Sequence, residues 1–482
     1  MAVMSVVEFP ISIRKEQISV LNKKYEDARA LYNATLNDAL KRYRRITDTK
    51  EYRADQKILG EYYKKKQMKE KPDNEDEVKE IFAKRNDLFK AECLSKFGIV
   101  KLAMYHQKHY SKNISSCMAS RSIANPVWAA MQKLMFGNGE KVKFKKFGEL
   151  NSLTTDNRSG IRLMQDDKGY YVLFSNRKEG SKPMCLRIKQ PKNDYEKNMI
   201  SRKVKVISII RRKKKDSYMY FMQLTVEGIP YKKQTADGTN LHPIGEGKVG
   251  IVIKDNNVYA VSDQGKTLHM KFDDKYEKYE DAVNGIRAEM TRLLQINNPD
   301  NYNDDGSIKK GVKQWVRSRQ YRELSGRLQN LQRKNRESRK IQRNIIANEI
   351  LKMGSDIYIR DKSYSTQKDK FDENNRKSNT EYSNLKNNRR NIQNFAPAAL
   401  LDTINKKLSG NGCTEIHELR LPKEMYFYCH DENKANKTKF VDGTIVFHKK
   451  AYMEEFYRAL CIMNFDGKQF DNNAVERGLA WI

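Results

Sequence analysis

Few residues in this 482-residue chain have the type and spacing to do chemistry, and metal ligands come first. Cys413, His417, Cys429, His430 and His448 lie within one region, and thiolate and imidazole are the ligands zinc prefers. They contain no CxxC pair, and Cys429 and His430 are adjacent, so the spacing argues against a zinc site. NYNDDG (301–306) opens like a calcium loop. The twelfth position from Asn301, however, is Val312 rather than a bidentate glutamate, and a solvated loop is the better reading. No Walker loop, GxSxG or GxGxxG occurs, so triphosphate and acyl chemistry have no support.

The basic runs say more. KRYRR supplies Lys41, Arg42, Arg44 and Arg45. KFKKFG (143–148) supplies Lys143, Lys145 and Lys146, and RRKKK supplies Arg211, Arg212, Lys213, Lys214 and Lys215. Cations interleaved with aromatics, or placed at strand ends, suit phosphate contacts plus stacking on single-stranded bases. Taken singly, each run also fits a solvated face. Lys and Arg total 94 against 61 acids, a formal charge of +33, which makes nucleic acid the expected partner. No run reads as transmembrane, and MAVMSVVEFPISIRKEQ has no apolar signal-peptide core ahead of its charges. Six scattered cysteines (93, 117, 185, 413, 429, 461) suit a reducing compartment. A cytoplasmic protein without a membrane partner is expected.

The elements that must position these residues follow from periodicity. Residues 4–13 read as a strand. Leu21, Tyr25, Ala28, Tyr32, Leu36, Ala39 and Tyr43 then form the stripe of an amphipathic helix. Helical sequence continues to about 135, broken by EKPDNEDE (70–77). From KVKFKKFGELNSL through 228, β-branched and aromatic residues alternate in short strands, and 229–247 is a linker. A third block opens with the hairpin GKVGIVIKDNNVYAVSD (247–263). Helices are expected at 274–296 and 315–352, with Gly354 ending the second. A strand SDIYIRDKSYS (355–365), a polar tract (366–394), a helix (396–408), a strand (415–421) and a final helix (449–463) follow.

Several of these segments together resemble TnpB proteins, transposon-encoded RNA-guided nucleases related to type V CRISPR effectors. VGIVIKDNNVYAVS, NNPDNYNDDGSIKKGV, IANEILKMGSDIYIRDKSY, FAPAALLDTINKKL and EFYRALCIMN occur in the order of the family's RuvC-like domain. ISIRKEQISVLNKKYEDARALYNATLNDALKRYRR resembles its N-terminal strand and first recognition-lobe helix, and LMFGNGEKVKFKKFGELNSL its return into the wedge barrel. The resemblance implies an α+β multidomain fold: a wedge β-barrel with an inserted helical recognition lobe, followed by a RuvC-like (RNase H-like) α/β domain. The boundaries would be 1–20 (wedge strand), 21–137 (recognition lobe), 138–244 (wedge barrel) and 245–482 (RuvC-like, with a flexible insert at 366–394). It implies as partners a guide RNA and a double-stranded DNA target with a short flanking motif, bound by a monomer on one guide. Protein would read the motif and base pairing the rest. Ser120 and Arg121, in SSCMASRSIANPVW, fall where the family approaches the target duplex.

In that family three carboxylates hold two divalent ions that activate water. Carried across position by position, the first falls on Val252, the second on Arg360 and the third on Glu455. One ligand is lost, one becomes a cation and one is lengthened, so the local charge moves by three units. At about 4 Å and an effective dielectric near 20, each unit interaction is worth roughly 4 kcal/mol. No catalytic magnesium, and no other cofactor, is therefore expected. Asp255, Asp361 and Glu454 adjoin these positions but should point elsewhere. The chain also stops 27 residues after Glu455, sooner than the family pattern.

The resemblance thus implies a nuclease-dead, TldR-like repressor in the bacterial cytoplasm, associated with the nucleoid, that blocks RNA polymerase with a guide–target heteroduplex. Arg360 would then be placed to hold a target phosphate. An endonuclease with rearranged ligands, an RNA-binding accessory protein and a polymerase-recruiting regulator are the alternatives.

Overall fold

The computed structural model describes residues 4–67, 74–111, 113–136, 139, 142–158, 160–174, 183–214, 217–254, 256–272, 275–311, 314–360, 396–421 and 424–482. The chain divides into two compact units, Met1–Tyr231 and Lys232–Ile482. Lys215, Asp255, Val312, Asp361 and the 366–394 tract lie outside the described residues.

In the N-terminal unit, β1 (Met4–Ser12) runs into α1 (Lys15–Thr47), which buries Leu21, Tyr25, Ala28, Tyr32, Leu36 and Ala39 as their spacing predicts. The helix starts a turn and a half before that stripe. Gln17 anchors its first turn, accepting from the Arg14 N–H (3.1 Å) and donating to the Cys185 carbonyl (2.9 Å). Helices α2 (Lys50–Gln67), α3 (Glu75–Ala91), α4 (Lys96–Tyr110), α5 (Ser116–Met118) and α6 (Asn125–Phe136) follow, with a π-helix at Ala119–Ala124. Then come β2 (Ser152–Asp156), β3 (Ile161–Asp166), β4 (Gly169–Phe174), β5 (Met184–Ile188), α7 (Asp194–Ile200), β6 (Val204–Lys214) and β7 (Ser217–Glu227).

The seven strands form one sheet in the order β2-β6-β7-β1-β5-β4-β3. Its two edges curl toward each other, and Thr155 Oγ1 on β2 donates to the Ile161 carbonyl on β3 (3.3 Å), making a half-barrel. Phe9, Tyr25, Ile99, Ile123, Leu153, Ile207 and Leu224 belong to one continuous apolar cluster, so α1, α4 and the π-helix share a core with the sheet. Leu59, Val78 and Ile81 give α2 and α3 a small core of their own. Among the described residues of KVKFKKF (142–147) the expected strand is absent: Lys145 exchanges both backbone bonds with the Asn33 amide on α1 (2.9 Å each). A side chain there satisfies what a sheet partner would have.

The C-terminal unit is built on a five-stranded sheet of order β10-β9-β8-β11-β12. The expected hairpin is β8 (Lys248–Lys254) and β9 (Asn257–Ser262), joined antiparallel to β10 (Thr267–Lys271). Helices α8 (Lys275–Asn297) and α9 (Arg319–Met353) lead to β11 (Asp356–Arg360), which lies parallel to β8. Helix α10 (Pro397–Ser409) leads to β12 (His417–Leu419), parallel to β11. Alternate residues of β8 face opposite ways. Val249, Ile251 and Ile253 pack with Ile346 and Ile350 of α9 and Leu400 and Ile404 of α10. Val252 packs instead with α11 (Glu454–Met463).

Two expectations change here. Residues 450–453 form a strand paired with Thr444–Phe447, so the last long helix begins only at Glu454. Gly354 does follow α9, but in extended backbone (φ 177°) rather than a left-handed cap. A Cβ there would lie 2.5 Å from the Gly247 carbonyl oxygen, so close packing accounts for the glycine.

Candidate functional site

Register brings the sequence-derived positions together. Ile359 pairs with Ile251, so Arg360 and Val252 sit one step further along neighbouring parallel strands. Helix α11 lies on the same face as Val252, and Gly250 permits the approach: a Cβ at 250 would stand 1.9 Å from the Ala459 carbonyl oxygen. All three positions, Val252, Arg360 and Glu455, therefore border one region of the sheet.

Their neighbours decide its chemistry. Val252 is buried among apolar side chains and offers no donor atom. Lys254, two residues along and on the same face, reaches Glu455 (Nζ to Oε1, 2.5 Å) and stands 4.0 Å from Glu454. Glu454 in turn pairs with Arg458, one helical turn on. Glu454 is thus not turned away, as the helical angle suggests; both carboxylates are buried and each meets a cation. Burial depresses the Lys254 pKa, but the Glu455 bond and charge outweigh it and the net shift is upward. Burial raises the Glu454 carboxyl. Arg360 is lowered by its own desolvation.

Arg458 is the least expected member. It is 6% exposed, its guanidinium lies 3.4 Å from the Tyr426 ring centre, and Arg360 lies 4.7 Å from the same ring. Burial, then the like charge of Arg360, pushes Arg458 down to about 9, still protonated at neutral pH. Lys254, Tyr426 and Arg458 were missed in the sequence. Two signals were available: Lys254 shares the two-residue period of Val252, and Glu454 and Arg458 have the four-residue spacing of a helical ion pair.

The possible zinc ligands do not gather into one site, although His430 and His448 both meet Glu476, His448 at 3.3 Å. Cys413 packs against the α9–α10 core and Cys429 against the α11 core. His417 bonds Asp356 (2.8 Å), and His430 bridges Tyr457 Oη (3.1 Å) and Glu476 (2.5 Å). Among the described residues no three His, Cys, Asp or Glu side chains are grouped to hold a metal.

The basic candidates all lie in the N-terminal unit, in unequal settings. Lys41, Arg44, Arg121, Lys143, Lys146, Lys213 and Lys214 are exposed, and Ser120 is half-buried. Ser120 and Arg121 both sit on the π-helix, a rare conformation enriched at functional sites. Arg42 is tied to Asp38 (3.0 Å) and Arg45 stands 4.0 Å from Glu92. Lys145 lies over Tyr32, and Arg212 grips Glu8 with two bonds (2.7 and 2.6 Å). Arg211 is 3% exposed and belongs to the core, so it presents nothing to a ligand.

No protein family model matches the chain, and no curated protein matches it. Among solved structures it is similar to a Cas12f1–sgRNA–target DNA complex, with TM-score 0.51 and 12% identity over 93% of this chain and 82% of that one. A CRISPR-Cas12f ternary complex aligns with TM-score 0.26 at 12% identity, covering 96% of this chain and 100% of that one. The mini-RNA-guided endonuclease CRISPR-Cas_phi3 aligns with TM-score 0.30 at 12% identity, covering 73% and 65%. The first likeness establishes a shared fold; the other two superpose too loosely to add to it.

Proposed function

We propose that the chain is an RNA-guided DNA-binding protein that occupies its target without cutting it. On this reading it represses transcription by holding a guide RNA–target DNA heteroduplex in the path of RNA polymerase. Guided binding is supported by the fold shared with a protein solved on sgRNA and target DNA, and by a charge of +33 that favours polyanions. The partners would be a guide RNA and duplex DNA carrying a short flanking motif, with one protein per guide, in the cytoplasm. Three antiparallel strands followed by two parallel ones support reading the C-terminal unit as a degenerate RuvC-like domain.

One observation carries the absence of cutting: Arg360 lies beside Val252, and Lys254 occupies Glu455. Hard divalent ions need several anionic oxygens turned toward one point. Here one position has no donor, one is a cation, and the two remaining carboxylates are each neutralised by a cation. The donor set does not fit magnesium, and no hydrolytic step is assigned to it.

Sequencing the RNA that copurifies with the protein, and mapping the chromosomal DNA it occupies, tests the reading. A defined RNA and discrete DNA sites are expected, with DNA left intact after incubation with magnesium. Absence of a defined RNA would sink the proposal. Cleavage would establish an endonuclease with rearranged ligands, RNA without targeted DNA an accessory protein, and copurifying polymerase a recruiter. In the converse experiment, Val252→Asp, Arg360→Glu and Glu455→Asp together are expected to give magnesium-dependent nicking of guided supercoiled DNA, read on a gel against the unaltered protein. Continued silence would mean that lost ligands alone do not explain inactivity.

A further inference from the structure

Helix α9 carries ten Lys and Arg against three Glu, and they are not spread evenly around it. With about 3.6 residues per turn, Arg322, Arg333, Arg336, Lys340 and Arg343 fall within roughly 80° of arc, a ridge ~30 Å long. The other positions of that arc, Ser325 and Gln329, are polar, so no apolar side chain interrupts it. Nearer the C-terminus the same arc brings Ala347 into the core, so the ridge starts where the buried face ends. The three glutamates lie outside the arc and each already holds a cation: Glu323 with Arg319, Glu337 with Arg333 and Glu349 with Lys352. Among the described residues no carboxylate pairs with Arg322, Arg336, Lys340 or Arg343. Arg322, Arg336 and Lys340 are exposed. Arg343 is half-buried, and burial, then the like charge of Arg339, lowers its pKa. Like charges three and four residues apart destabilise a helix, and a merely solvated face would gain from interspersed acids that this ridge lacks. A polyanion laid along it would remove the repulsion.

We propose that this ridge docks the sugar–phosphate backbone of duplex DNA, by charge and without reading sequence. Guanidinium forks and an ammonium suit phosphate oxygens, and ~30 Å of helix spans about nine base pairs of duplex axis. Single strands are held on aromatic platforms where unpaired bases stack, and the arc has no ring to offer. An RNA stem presents 2′-hydroxyls beside its phosphates, and only Ser325 and Gln329 stand in the arc to bond them. A duplex that shows phosphates alone is the better fit. The assignment rests on the nucleic-acid reading above and adds to it a contact surface in the C-terminal unit, away from the basic runs of the N-terminal one.

The full-length protein is titrated into a fluorescent blunt DNA duplex of arbitrary sequence, with anisotropy read at several salt concentrations. Arg336→Gln with Lys340→Gln is expected to weaken binding about tenfold near ~0.1 M salt and to flatten the slope of log K against log salt by about two. Arg327→Gln with Lys334→Gln removes two exposed charges from the far side of the same helix and is expected to change affinity less than about twofold. Circular dichroism checks that each variant folds. If either pair does not, Arg322→Gln, expected to cost about threefold, is compared with Arg327→Gln, expected to cost almost nothing. Equal losses from the two sides of the helix would overturn the ridge. An equal loss on a single strand of the same length would rule out the duplex, and a larger loss on the matching RNA duplex would rule out DNA as the partner. Failure of the unaltered protein to bind any of the three would overturn the nucleic-acid reading itself, a result distinct from the others.

Discussion

Arg211→Ala is expected to lower the stability of the N-terminal unit by about 3–5 kcal/mol, the range for removing one partner of a buried ion pair. Its guanidinium bonds Asn151, Asn22 and Glu26 at 3.1–3.2 Å and lies 4.3 Å from the Tyr25 ring centre and 4.7 Å from that of Tyr218. Burial alone would raise the Glu26 carboxyl, but bonds from Arg29, Arg211 and the Gly148 N–H outweigh it and hold its pKa low. Deleting Arg211 leaves that carboxylate under-paired and opens a hole between two rings. Arg211→Lys should rescue little, since an ammonium cannot reach three acceptors as a planar fork does. Lys214→Ala, on an exposed position of the same strand, should stay within about 0.5 kcal/mol. Urea unfolding followed by circular dichroism distinguishes the two. Equal stability with weakened nucleic-acid binding would show that Arg211 serves the ligand instead.

Gly250→Ala is expected to have a comparable effect on the C-terminal unit. The added methyl would sit 1.9 Å from the Ala459 carbonyl oxygen and 2.8 Å from its carbon, both backbone atoms of α11, and 3.0 Å from Met463 Cβ. No rotamer relieves that contact; the helix must lift from the sheet. Overpacking costs about 1–3 kcal/mol and occasionally more, and a clash with backbone atoms belongs at the upper end, near 3 kcal/mol. For a unit of this size that corresponds to a fall of about 6–12 °C in melting temperature. Because α11 also carries Glu455 and Arg458, the substitution should also part Lys254 from Glu455. An unchanged melting temperature would mean that α11 is not seated on the glycine.

These two positions show what was legible in the sequence. The α1 stripe and the β8–β9 hairpin could be read directly, because burying one face imposes its own period on the chain. The meeting of Val252 and Arg360 could be anticipated only through a family resemblance, since these parallel strands pair across about a hundred intervening residues. Arg211 was not legible. In RRKKK it looks like its neighbours, and what distinguishes it is mostly far away in the sequence: Asn22, Tyr25 and Glu26 on α1, with Asn151 and Tyr218. KVKFKKF alternates as a strand should, yet Asn33 claims its backbone. Tyr426, in a turn-rich stretch without periodicity, gave no sign that two arginines would stack on it.

The position of β1 in its sheet has a consequence for how the protein is made. Met4–Pro10 pair with Phe221–Glu227, and Ser5 Oγ donates to the Gly228 carbonyl 223 residues away. The strand translated first therefore waits for the one translated last in its unit, about 10–40 s at ordinary rates of synthesis. During that interval α1 can coil but lacks most of the sheet it covers, and the edge of β1 that β7 will take stays open even after β5 (Met184–Ile188) has emerged to pair with the other. Folding of this unit is accordingly a late, concerted event on the ribosome. A chain halted before residue 220 should yield an aggregation-prone fragment rather than a smaller working domain.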